Sequence, residues 1–224
     1  MPTNPVSRLP LNDQVTSHIR EQVLSGELLP GTRMVQAEWA DKLGTSRMPV
    51  RDAFLRLQSE GILTAADKGA AMVALLSEQD IRDAYELNAF AASIAAQRAA
   101  LNMTRTSADA LESIHAKFAC AVENGDVARA LDTNHGFHRL VNLQSNSPRL
   151  VSVLKLLSAS LPHVGTRTLP SWRARSVESH ALILEALLEG SRGAERARGL
   201  MQSHIMEAAD VVVAHLRKRG FWSD

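Results

Sequence analysis

A single cysteine, Cys120, among 224 residues excludes an intrachain disulfide and fits a reducing compartment. It falls in a helical run with Phe118, Ala119 and Val122, where it reads as a small buried hydrophobe. Charge of one sign is also lacking. With 25 basic and 24 acidic residues the formal net charge is +1, so the chain is no polycationic coat, and any nucleic-acid contact must come from a local cluster. No apolar run reaches the ~20 residues of a membrane span, and Met1-Pro2-Thr3-Asn4-Pro5 has no signal-peptide character, so a cytoplasmic protein without a membrane partner is expected. Internal repeats and low-complexity tracts are missing as well. What remains is 45% hydrophobic, enough for one large or two small folded domains.

The stretch from Leu43 to Leu57 organises the first of these. Gly44 ends a helical pattern, Ser46 is placed to N-cap the next helix, and Pro49 sits in its first turn, where a missing N–H costs little. Val50, Ala53, Phe54 and Leu57 recur at i, i+3, i+4 and i+7 and predict one buried stripe. Arg47 and Arg51 lie one turn apart at the helix's N-terminal half, the half that enters a major groove in helix-turn-helix proteins, where a guanidinium grips guanine bidentately. The competing reading is a solvated charged face. Context favours DNA, because Lys42, Arg47, Arg51 and Arg56 stand against Asp52 alone. Upstream, Val15, His18, Ile19, Gln22 and Val23 fit one helix, Leu29-Pro30-Gly31 a turn, and Trp39, Ala40 and Leu43 a second short helix. Downstream, Glu60 to Thr64 and Ala71 to Leu75 read as two short strands joined by a turn bearing Gly69. The pattern is a winged helix-turn-helix.

Residues 28 to 76 resemble the DNA-binding domain of GntR-family transcription regulators. Pro30-Gly31, Leu43-Gly44, Ser46-Arg47, Pro49-Val50-Arg51, Leu57, Glu60-Gly61 and the wing Gly69 carry the resemblance. It implies DNA contact by Ser46, Arg47, Met48, Arg51, Lys68 and Gly69. Met48 stands where the family usually has threonine, and Lys68-Gly69 where the wing tip is often Arg-Gly.

Beyond residue 76 strand signals disappear. The expected division is a winged helix-turn-helix domain over 1–76 and an all-helical domain over 77–224, a mostly α protein ending in a helical bundle. Five helices are expected in the second domain, from Glu78 to about Ala100, from a cap at Thr106 to about Glu123, from a cap at Asp126 through Leu143, from Ser147-Pro148 to about Ser160, and one ending at Gly190. A sixth is expected from a cap at Ser191 to about Arg219.

On the third of these, Val127, Ala130, Leu131, Phe137 and Val141 form an apolar stripe with Asn134 and His138 in its middle. His180 lies among Val177, Ile183, Leu184 and Leu187, and His204 among Ala197, Leu200, Met201, Ala208 and Val211. Each is either a core histidine bonded to a neighbour or part of a shared metal site. His18, His115, His135, His163 and His215 take the core reading, with a supporting role open for His215.

"NHGFH" (134 to 138), "ESHALILEAL" (178 to 187) and "MQSHIMEA" (201 to 208) resemble the metal-binding positions of the helical FCD effector domain, found in the FadR subfamily of GntR regulators. The resemblance implies the ligands Asn134, His138, His180 and His204, holding zinc, nickel or manganese. Asn134 replaces the family's usual aspartate and brings no charge. Asn88 stands near where many members carry an effector-facing arginine. The whole implies a homodimeric, ligand-responsive regulator, a repressor by the family's commoner sign, with a palindromic operator and a small anionic or oxygen-rich effector, carboxylates included. A metalloenzyme built on the three histidines is the first alternative, although no glutamate sits at the H-E-x-x-H spacing. An adaptor that uses the winged domain as scaffold is the second.

Overall fold

The computed structural model describes residues 10–159, 161 and 169–222. Two units divide the described chain. One runs up to Ser77 and takes in the segment from Leu216 onward; the other spans Glu78–His215. The last residues, expected within a domain over 77–224, therefore group with the first unit.

In the first unit the apolar spacing read from sequence closes a small core. Helix α1 (Leu11–Leu24) buries Val15, Ile19 and Val23, α2 (Gln36–Lys42) buries Trp39 and Ala40, and α3 (Arg47–Ser59) buries Val50, Ala53, Phe54 and Leu57. Gly31 and Gly44 hold φ of +78° and +61°, left-handed values that a side chain would strain, so the turns that enter the sheet and the recognition helix require them. The sheet has three strands, in the order β1 (Arg33–Val35), β3 (Ala70–Val73), β2 (Leu63–Ala65), with both pairings antiparallel. Strand β1 has no counterpart in the sequence reading. Its three residues are too few for a period-2 signal, and it exists because Met34 is buried opposite Ala71.

The second unit is helical in its described residues. Helix α4 (Glu78–Leu101) packs on α6 (Val127–Gln144), α7 (Pro148–Ala159) and α8 (Pro170–Leu188), and α5 (Arg105–Glu123) packs on α6 and α8. Ala89, Ala92, Ala95, Ala96 and Ala99 are all buried along α4, so its backbone is approached closely by its neighbours. The cap of α5 is Thr104 rather than Thr106. Thr104 Oγ1 accepts from the Ser107 amide at 3.2 Å and Ser107 Oγ accepts from the Thr104 amide at 3.0 Å. Asp126 caps α6 as expected, accepting from the Arg129 amide at 3.0 Å. Ser191 caps nothing; it lies in a short 3-10 turn, Gly190–Arg192, and α9 (Ala194–Lys218) begins after Gly193. A Cβ on Gly193 would sit 2.0 Å from the Ala186 carbonyl oxygen, so only glycine fits this reversal. Cys120 is exposed, contrary to its expected burial, because it faces away from the α5 stripe of Leu111, Phe118 and Ala121.

Candidate metal centre and nucleic-acid interface

At the first site, α3 is held by its buried stripe and presents the opposite face to solvent. Arg47, Met48, Arg51, Asp52 and Leu55 are exposed on it, Met48 by 60%. Ser46 occupies the N-cap position with extended backbone, but its side chain makes no capping hydrogen bond, which leaves the hydroxyl exposed beside Arg47. Lys68 and Gly69 are exposed in the turn between β2 and β3, and the Gly69 carbonyl takes the Gln36 amide at 2.9 Å, fixing the wing tip. Two other members of the expected basic cluster are otherwise engaged. Arg56 pairs with Asp13 at 2.8 Å and with Glu60 at 3.4 Å, and Lys42 lies 4.5 Å over the Trp39 ring. Among the described residues no ion pair engages Arg47 or Arg51, so their guanidinium groups face solvent with their donors available.

The second site lies in the helical unit. His138 of α6, His180 of α8 and His204 of α9 meet, with one nitrogen of each within 4.8 Å of the others. His180 Nε2 and His204 Nε2 are 3.2 Å apart. Metal–nitrogen bonds of about 2.0–2.1 Å put two ligands on a tetrahedral edge about 3.3 Å apart, so this pair already has the spacing of a metal edge. The rings are walled by aromatics. Phe137 stacks on His180 at 4.2 Å and Trp172 on His204 at 5.7 Å, while His138 and His204 stack at 5.3 Å. Burial holds His204 down to about 4, and burial followed by the neighbouring His138, His204 and His115 holds His180 well below the ordinary histidine range. Both imidazoles are therefore neutral at pH 7, the form that offers a lone pair to a metal. Their Nε2 atoms face each other at hydrogen-bond distance, while their Nδ1 atoms are buried without a hydrogen-bond partner among the described residues.

His138 and His204 also line a cavity of about 720 Å³, and Asn134 lines it one turn before His138. Its wall includes features that the sequence reading missed. Trp172, Arg139 and Lys155 all line it, and Ser158 donates to Asn88 Oδ1 at 3.2 Å across it. Arg139 follows a candidate ligand directly, but its exposed helix position gave no signal separating it from solvated charge. Of the remaining histidines, His18 and His135 are exposed rather than core, His115 and His215 are half-buried, and His163 lies outside the described residues.

Comparison with known proteins joins the two sites. Residues 11–73 match the family described as "Bacterial regulatory proteins, gntR family", and residues 83–207 match the FCD domain. The chain belongs to the GntR family and carries an FCD domain. It is thus a DNA-binding transcription regulator, in a family of regulators rather than enzymes. The HTH-type transcriptional regulator McbR of Escherichia coli K12 is 28% identical over 193 residues, covering 83% of this chain and 86% of McbR. The Nta operon transcriptional regulator of Aminobacter aminovorans is 27% identical, covering 84% and 88%. At 21% identity the HTH-type transcriptional repressor RspR of E. coli K12 aligns over 95% of this chain and 93% of its own. The solved structure of E. coli McbR/YncC superposes with a TM-score of 0.72 at 25% identity, covering 92% of this chain and 98% of that one. For this GntR-family chain the described residues include no helix long and apolar enough to cross a membrane.

Proposed function

We propose that this GntR-family protein is a cytoplasmic, metal-containing, ligand-responsive repressor that binds a palindromic operator as a homodimer. The observation that carries the proposal is the convergence of three imidazoles, two of them buried and neutral, at the edge of a cavity large enough for a metabolite. His138, His180 and His204 would hold a divalent ion, and the Asn134 carbonyl is the fourth candidate ligand. Zinc suits the imidazoles, with nickel or manganese as alternatives. When bound, the ion supplies a Lewis-acid position for an oxygen of the effector. Repression is supported by the sign in the name of the relative RspR. Dimerisation is supported by α4, where Leu87, Phe90 and Leu101 expose 54 to 60% of their surface along one face, an apolar stripe that a second copy would cover. Two-fold protein symmetry then calls for an inverted-repeat operator, with Arg47 and Arg51 on base edges, Ser46 and Met48 beside them, and Lys68 and the Gly69 backbone at the minor groove or phosphates.

An effector changes operator affinity only if it binds one arrangement of the protein better than another, and a typical coupling of about 1 to 3 kcal/mol corresponds to roughly 5- to 150-fold. The test has two readouts. Protein purified without chelator or a nickel column is subjected to elemental analysis, and bound DNA is selected from a random pool at defined salt. About one ion per chain, lost in His180→Ala, with an inverted repeat among the selected sequences, is the expected result. Equal absence of metal from wild type and variant under metal-replete conditions would return the histidines to the core.

A further inference from the structure

The cavity beside the histidine cluster has a one-sided charge balance. Among its described lining residues there is no aspartate or glutamate, while Arg139 of α6 and Lys155 of α7 both face it. Both cations are exposed, and neither has an ion-pair partner among the described residues. The other polar groups on the wall are neutral. Asn88, Asn134, Asn142 and Ser158 carry no charge, burial pushes the Tyr85 hydroxyl up, away from ionisation, and burial also lowers His135, which lines the cavity, toward its neutral form. The lining therefore brings two positive charges of its own. A divalent ion on neutral imidazoles and an amide would make four, with no protein carboxylate on the wall to balance them. Like charges gathered around one partly enclosed space repel, and a ligand that brings a single negative charge leaves most of that repulsion in place.

On the metal reading one oxyanion group of the effector goes to the histidine cluster; we propose that a second is held by Arg139 and Lys155, so that the effector is a small anion carrying two or more negative charges. The first anchor rests on the metal reading given above; the second does not. A guanidinium fork takes a carboxylate or phosphate through two parallel hydrogen bonds, and the lysine ammonium adds a point charge. Both side chains are on the solvent side of the cavity, whereas His204 and Asn88 are buried. The arrangement thus orients a ligand with its two anionic ends at different depths.

Calorimetric titration of the metal-loaded full chain tests this with four probes of similar size, namely butyrate, succinate, tricarballylate and 3-phosphonopropionate. At least one multiply charged probe is expected to bind about tenfold or more tighter than butyrate, the size of one charge-assisted hydrogen bond. Preference for the phosphonate over both carboxylates would assign the second anchor to phosphate, and the reverse to carboxylate. Arg139→Gln and Lys155→Gln, both at exposed positions, are each expected to shrink the ratio to butyrate while leaving metal content and melting temperature unchanged. Butyrate binding as tightly as every multiply charged probe, absence of binding by all four, or an unchanged ratio in both variants overturns the proposal. A metal-free arm separates the two readings. If elemental analysis finds no ion yet the discrimination persists and depends on Arg139 and Lys155, the second anchor stands and the metal reading fails.

Discussion

His204 has a folded-state pKa near 4 because taking its ring out of water penalises the imidazolium. The unfolded chain, with a histidine pKa of about 6.5, takes up that proton first as the pH falls. In metal-free protein the contribution is therefore intact above about pH 6.5 and is lost progressively down to about pH 4, by an amount on the order of 3 kcal/mol. His180 is shifted the same way and steepens the loss. Denaturant unfolding of metal-free protein at several pH values should show it, with a shallower slope in His204→Gln; equal slopes would mean that this ring is not the one being kept neutral. A second contrast concerns arginines that look alike in sequence. Arg51→Ala should weaken operator binding by roughly 1 to 3 kcal/mol and relax one base pair per half-site. Arg56→Ala, removing exposed ion pairs to Asp13 and Glu60, should leave sequence preference unchanged and cost stability no more than about 1 kcal/mol. Binding assays against a panel of single-base operator variants distinguish them, and a preference altered by Arg56→Ala instead would reverse the assignment. The pattern of residue types could not make this distinction. Arg56 is read out of the basic cluster only once α1 and α3 are seen to bring Asp13 alongside it from 43 positions away.

At the scale of elements, what was legible followed from periodicity and what was not followed from contacts distant in sequence. The buried stripe of α3, the stop at Gly44 and the cap at Asp126 are local, and all three are found. Strand β1 and the 3-10 turn before α9 depend on partners far along the chain or on backbone packing, and neither had a local signal. The histidine cluster stands between these cases. Each stripe placed its own histidine inward, but only the packing of α6, α8 and α9 brings the three nitrogens within 4.8 Å. The turn at Gly193 gives a direct test of element packing. A methyl group there meets the Ala186 carbonyl, which is backbone and cannot swing aside, so Gly193→Ala should destabilise the helical unit by about 1 to 3 kcal/mol. Gly199 sits six residues later inside α9 with nothing within 4 Å of where a Cβ would be. Gly199→Ala should stabilise by about 0.5 to 1 kcal/mol, because it removes freedom from the unfolded chain at no steric cost. Thermal melts of the two variants are expected to move in opposite directions, and a shared direction would mean that the turn accommodates a side chain.

For the whole molecule, the consequential difference from the sequence reading is that the chain from Leu216 onward groups with the DNA-binding unit. Leu216 and Phe221 are buried, at 0% and 3% exposure. A Cβ on Gly26, just beyond α1, would lie 3.3 Å from Leu216 Cδ2 and 3.4 Å from Arg219 Cβ, so the end of α9 rests closely on that turn. The Trp222 indole N–H donates to the Leu76 carbonyl at 2.7 Å. Burying side chains of the size of Leu216 and Phe221 is worth about 1.5 to 3 kcal/mol each, a large part of the stability of a unit this small. A chain ended after His215 keeps His138, His180 and His204 and should keep the metal proposed for them, yet its DNA-binding unit should melt earlier and hold the operator more weakly. Trp222→Phe removes the indole donor and one ring while keeping an aromatic side chain, and should cost about 1 kcal/mol for the lost hydrogen bond, which grades the same effect while leaving Leu216 and Phe221 in place. Operator affinity measured beside metal content reads the two units separately. If the shortened chain binds its operator as tightly as the full chain and melts at the same temperature, the terminal segment is dispensable to the winged helix, and its burial there contributes nothing to DNA recognition.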